Sequence, residues 1–198
     1  DDIINGVASW TKTVVGIVAA KGPNNIFSLG RTFTWIVGDG GYVYFSSDIT
    51  GGVSVQDAGV ATSQVLNSIH GIDELTLVAV GAANAVIKTV NGGTTWSAVT
   101  GPAVGVALNV VVMRSATEWM VGTAGGALWY TTNSGVSWTQ KRFSGDNAGT
   151  VKDITFPTPT VGYMAHNTAA PIGRIFRTVD GGGSWYLVPE DTSFTFPG

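Results

Sequence analysis

Short apolar runs rich in β-branched and aromatic residues recur along the chain, each bounded by Gly, Asn, Asp or Pro. A first set lies at Asn25–Leu29, Leu66–His70, Leu108–Val112 and Val151–Thr155. A second follows at Thr34–Gly38, Leu77–Gly81, Glu118–Gly122 and Val161–Ala165. A third, shorter set lies at Val43–Phe45, Val86–Lys88, Leu128–Tyr130 and Ile175–Arg177. A fourth is clearest at Thr95–Val99 and Ser184–Val188. Runs of this length and make-up predict strands, and no stretch carries a helical period with caps.

Between the third and fourth runs stands a polar box. It reads TVNGGTTW from Thr89 to Trp96, TTNSGVSW from Thr131 to Trp138, and TVDGGGSW from Thr178 to Trp185. Ser46 to Val55 carries the same pattern with two residues inserted and valine in place of tryptophan, and Asn5 to Trp10 repeats its last six positions. The acid or amide falls at Asn5, Asp48, Asn91, Asn133 and Asp180, spaced by 43, 43, 42 and 47 residues. A phosphate-binding loop is needed once per site, whereas five copies at a near-constant period are architecture. Each box predicts the turn between the third and fourth strands of a unit. Asp or Asn and the Ser/Thr hydroxyls then bond backbone amides, and Gly supplies positive φ. The expected structural set is Asn5, Ser46, Asp48, Thr89, Asn91, Thr131, Asn133, Thr178 and Asp180, with Trp10, Trp96, Trp138 and Trp185 filling space between units.

Four strands per repeat of this length predict an all-β chain folded as a β-propeller. The expectation is a single domain over 1–198, with blades at 24–58, 64–100, 106–142 and 150–190. Residues 1–23 form a partial fifth repeat or latching strand, and 191–198 a tail. The boxes resemble the Asp box of bacterial-neuraminidase-type repeats. The longer stretches WIVGDGGYVYFSSD, Trp35 to Asp48, and WMVGTAGGALWYTTNSGVSW, Trp119 to Trp138, are more specifically similar to repeats of the photosystem II assembly and stability factor family. That resemblance implies a propeller, usually of six or seven blades. It also implies an arginine-rich surface patch, for which the five arginines here give no matching set.

Composition narrows the function. Hydrophobic residues make up 44% of the 198, enough for a core. Only 12% are charged, with a net charge of −3 and no basic cluster, which argues against a nucleic-acid partner. No apolar run has the length that membrane insertion needs. There is no cysteine, hence no disulfide or thiolate metal site. The chain opens on Asp1 without an initiator Met, so it is expected to be processed or a piece of something longer.

Candidate chemistry is sparse. A sialidase needs clustered arginines and a Tyr–Glu pair; the arginines stand at 31, 114, 142, 174 and 177, and Glu only at 74, 118 and 190. Asp39, Asp57 and Asp146 are the carboxylates from which a glycosidase pair would have to come. His70 and His166 stand without acids at metal spacing. The expectation is therefore no catalytic residue, no metal and no cofactor. Ligands of propellers usually bind on the face opposite the boxes, and there Trp35, Asp39, Asn84, Tyr163, His166, Asn167 and Arg174 are the candidate contacts. The leading reading is a non-enzymatic structural or interaction propeller in a larger extracellular or phage virion assembly, with other protein subunits as partners. A glycan-binding propeller and an assembly factor for a membrane protein complex are the alternatives.

Overall fold

The computed structural model describes residues 16–30, 32–47, 52–141, 143, 149–168 and 173–189. Sixteen strands make four antiparallel four-stranded sheets, each in simple chain order. The first blade holds β1 (Pro23–Leu29), β2 (Phe33–Gly38), β3 (Tyr42–Ser46) and β4 (Ser54–Ala58). The second holds β5 (Leu66–Gly71), β6 (Leu77–Gly81), β7 (Val86–Thr89) and β8 (Ser97–Val99). The third holds β9 (Leu108–Met113), β10 (Trp119–Thr123), β11 (Leu128–Thr131) and β12 (Thr139–Lys141), and the fourth β13 (Gly149–Thr155), β14 (Gly162–Thr168), β15 (Gly173–Thr178) and β16 (Tyr186–Leu187). The chain is a β-propeller array, as the strand pattern predicts. The N-terminal repeat with Asn5 and Trp10, the tail, and Asp48 lie outside the described residues.

Period-2 alternation gives the blades two apolar faces, and facing sides of successive blades are buried against each other. Three core clusters result. Trp35, Val37 and Val43 of the first blade pack on Ile69, Leu77, Ile87 and Trp96 of the second. Val78, Val80 and Val86 of the second meet Val111, Trp119 and Val121 of the third. Val110, Val112, Met120 and Leu128 of the third meet Ile154, Met164, Phe176 and Trp185 of the fourth. The core thus lies between blades, and the inner strands follow one another in the order β1, β5, β9, β13.

A repeated bulge fastens each blade to the next. The pairing of the first two strands skips one residue in every blade: between Pro23 and Asn25, Leu66 and Ser68, Leu108 and Val110, and Val151 and Asp153. A bulge turns the skipped side chain out of the sheet. In three blades that residue is asparagine. Asn24 donates to the Leu66 carbonyl at 3.1 Å, Asn67 to Leu108 at 2.9 Å, and Asn109 to Val151 at 3.1 Å. The fourth bulge carries Lys152. His70 adds a further link, its Nδ1 accepting the Met113 amide of the third blade.

The boxes fold alike. Thr89, Thr131 and Thr178 are buried. Each hydroxyl donates to the acid or amide two residues on, at 2.9, 2.9 and 2.8 Å, to Asn91, Asn133 and Asp180. It also accepts the amide four residues on, from Gly93, Gly135 and Gly182, at 2.9, 3.0 and 2.9 Å. The acid or amide oxygen in turn accepts the amides of Thr95, Ser137 and Ser184. The turn is pinned to the first hairpin of its own blade through Gly92 to Leu75, Ser134 to Thr117 and Gly181 to Thr160. Trp96 and Trp185 are buried between blades, and Trp138 is half-buried with its indole nitrogen donating to the Thr100 carbonyl of the preceding blade. Ser46 is buried at the end of β3.

Candidate functional site: a groove at the box edge

The top-face candidates do not converge. Trp35 is a core residue packed among Phe27, Phe33 and Phe45. Asp39 accepts from Asn24, orienting the amide that clasps the second blade. Asn84 adopts φ 64° in the tight turn between β6 and β7, a left-handed conformation that asparagine tolerates. The equivalent turn of the first blade uses glycine, because a Cβ at Gly41 would run into the Thr62 carbonyl. Asp57 is buried and spent on the Val60 and Ala61 amides, while Asp146 and Arg142 lie outside the described residues.

Three readings need correction. HNTAAPIGR reads as a long loop in sequence, but β14 runs on to Thr168 and β15 resumes at Gly173. His166 is therefore a strand residue, paired with Val151 and Arg174 and buried against Phe143 and Phe176. Alternation hides its inward direction because polar Asn167 and apolar Ala165 both flank it outward. Asn167 and Arg174 are likewise ladder residues. Tyr163 sits at the box end of β14, opposite Thr155 and Arg177, not on the opposite face.

A concavity lies at the box edge, between the third and fourth blades. It is a groove of about 290 Å³ walled by β10–β12 on one side and the Asp180–Gly183 turn on the other. Met120 and Tyr130 give it an apolar floor, and Arg114, Glu118, Lys141 and Asp180 give it two charges of each sign. Lys141 lies 4.2 Å over the Tyr130 ring. Arg114 spans the blades: its guanidinium donates to the Gly181 carbonyl at 2.8 Å and to the Pro159 carbonyl, and stacks 4.6 Å from the centre of Phe156. Beyond Arg114 the groove continues into a second hollow along Phe156–Pro159. The Ser184 amide and the Thr178 hydroxyl hold the Asp180 carboxyl down at about 2. It is a fixed anion at neutral pH and cannot serve as a general acid there. Among the described residues no His/Asp/Glu group is arranged to hold a metal ion.

These groove residues escape sequence reasoning. Arg114, Glu118, Tyr130 and Lys141 come from the first hairpin and two strands of one blade, and none repeats at the box period. The asparagine clasps did leave a signal, since Asn24, Asn67 and Asn109 recur at 43 and 42 residues.

Comparison with known proteins agrees with this architecture. A solved structure titled YCF48 bound to D1 peptide superposes with a TM-score of 0.67 at 18% identity, covering 92% of this chain and 58% of the other. YCF48 from Cyanidioschyzon merolae gives 0.64 at 15%, covering 92% and 63%. A Niastella koreensis GH74 enzyme gives 0.60 at 17%, covering 88% of this chain but 30% of the enzyme. These likenesses concern the fold, and the chain spans about three-fifths of the length of the two YCF48 chains. No curated protein matches the sequence. The model of the family "photosynthesis system II assembly factor YCF48" matches residues 53–196, which takes in three of the four blades. The chain is a member of that family, built from its neuraminidase-type repeats.

Proposed function

We propose that the chain is a non-catalytic interaction propeller that holds an extended segment of a partner protein in the groove between its third and fourth blades. Family membership over residues 53–196 is the observation that carries this reading. The groove suits it. An apolar floor flanked by Lys141, Glu118 and Asp180 offers ring and methylene contact to side chains and both signs of charge to a polar backbone or termini. Its walls are backbone-rigid, because the box turn is closed by its own hydrogen bonds, so little entropy is lost on binding. The assembly-factor reading now outweighs the virion component and the glycan receptor, for which family membership supplies no support. The GH74 likeness carries only the shared fold.

The test is fluorescence anisotropy with a library of labelled unstructured peptides of mixed charge, D1 peptides among them. Saturable binding is expected for a subset, weakened about tenfold by Lys141→Glu, equivalent to about 1.4 kcal/mol. Absence of saturation by any peptide, with the fold intact by circular dichroism, refutes the reading.

A further inference from the structure

At the box end of each seam between blades, one cross-strand row faces the following blade. In the first blade that row is Phe27, Trp35 and Phe45, and in the third it is Val112, Met120 and Tyr130. The second blade departs from this, with His70, Val78 and Lys88 in the row. His70 is spent on the Met113 amide of the third blade, and Val78 is buried in the seam. Lys88 therefore stands where the two flanking seams hold an aromatic ring.

The substitution leaves a hollow of about 140 Å³, with Val78, Lys88 and Val90 on one side and Ala116, Trp119 and Ser134 on the other. It continues past Lys88 into a second hollow along Val99–Thr100 and Ser134–Val136. Among the described residues no carboxylate lines either one. Lys88 is half-buried with its ammonium 5.9 Å from the centre of the Trp119 ring, and among the described residues it makes no ion pair and no side-chain hydrogen bond. The neighbouring hydroxyls are spent, Thr89 on Asn91 and Ser134 on the Ala116 carbonyl. A partly desolvated cation with no counter-charge favours an anion over a neutral group, and its three unclaimed N–H donors suit a carboxylate.

This hollow and the groove between the third and fourth blades lie back to back across β10, where Trp119 faces the one and Met120 the other. Packed sheets stand about 10 Å apart and an extended chain advances about 3.3 Å per residue, so about three residues bridge the two. We propose that Lys88 receives an Asp or Glu side chain of the same partner segment that the groove holds, about three residues from the one seated on Tyr130. The inference rests on the groove reading of the function. The carboxylate is assigned to a side chain and not to a chain end, because the second hollow carries the path onward past Lys88.

The test uses a peptide from the mixed-charge library that binds the full chain saturably, remade with each acidic residue changed to its amide in turn. One such exchange is expected to weaken binding about fivefold, the upper end of what a solvent-touched ion pair supplies. Lys88→Gln weakens the parent peptide by the same factor, the two changes together cost no more than either alone, and Lys88→Arg restores affinity. Circular dichroism checks that each variant folds. Parent and amide peptides weakened equally by Lys88→Gln overturn the proposal, since the lysine then only covers Trp119. So do selected peptides that carry no acid, and so does a Lys88-dependent loss on amidating the peptide's C-terminus in place of a side chain. Lys141→Glu scores the groove separately. Peptides weakened by Lys141→Glu but indifferent to Lys88→Gln refute this inference and leave the groove standing. A Lys88-dependent acidic preference with no Lys141 effect keeps the carboxylate site and refutes the groove, and saturation by no peptide refutes both.

Discussion

Replacing Thr178 by valine keeps the shape of a buried side chain and deletes only its hydroxyl. That hydroxyl accepts the Gly182 amide at 2.9 Å and donates to Asp180 at 2.8 Å. Gly182 is buried, so its N–H has no access to water once the acceptor is gone. A buried donor left unsatisfied costs about 1–3 kcal/mol. Losing the bond to the ionised Asp180 adds about 1 kcal/mol, discounted because the carboxylate is exposed. The expected loss is about 2–4 kcal/mol, a fall of roughly 5–15 °C in Tm for a chain of this size. Thr178→Ser keeps the hydroxyl and loses one methyl, for about 1 kcal/mol. Urea unfolding of the three proteins, followed by tryptophan fluorescence, gives both numbers. A valine variant within about 0.5 kcal/mol of wild type, or a serine variant worse than valine, refutes the claim that the box is held by hydrogen bonds.

Asp180→Asn should be nearly neutral at pH 7, because Asn91 and Asn133 already close the same turn, with amides donating to Thr95 and Ser137. It should also flatten the acid limb of the stability curve. The Asp180 pKa is depressed to about 2 in the fold, so its contribution is present above pH ~4 and lost as pH falls toward 2; equal acid sensitivity of both proteins contradicts this. His70 titrates below its ordinary value because burial disfavours the charged form. Its neutral Nδ1 accepts the Met113 amide, so stability should fall as pH drops below about 6.5, and His70→Gln should blunt that slope in chemical denaturation. Arg114→Ala should cost about 2 kcal/mol by releasing the Gly181 and Pro159 carbonyls and Phe156, with Arg114→Lys recovering only part, as read by differential scanning calorimetry.

What the sequence discloses follows from where the information is stored. Blade number and strand order are written in repetition, and each run of the pattern is a strand in the structure. The turn chemistry is equally local, since Thr178, Asp180 and Gly182 lie within five residues of one another. The groove is not local. Arg114 reaches Gly181 across 67 residues, and its role depends on how two blades abut. Two candidates for the other face sit elsewhere for reasons a strand pattern does not carry. Tyr163 pairs with Thr155 and Arg177 at the box end of β14, and His166 is buried because β14 and β15 run further from the boxes than their counterparts in the other blades. The asparagine clasps lie between these cases: their period is visible, but their use requires the bulge, which no single strand pattern reveals.

The function of the propeller depends on where a partner binds. A peptide selected from the mixed-charge library, titrated into isotope-labelled protein and followed by amide chemical shifts, locates that site directly. The expected perturbations cluster on Arg114, Glu118, Tyr130, Lys141 and Asp180–Gly183, the walls of the groove between the third and fourth blades. Perturbations confined to the opposite face, at Asp39–Gly41 and Ala82–Asn84, with the groove residues unmoved, would contradict it.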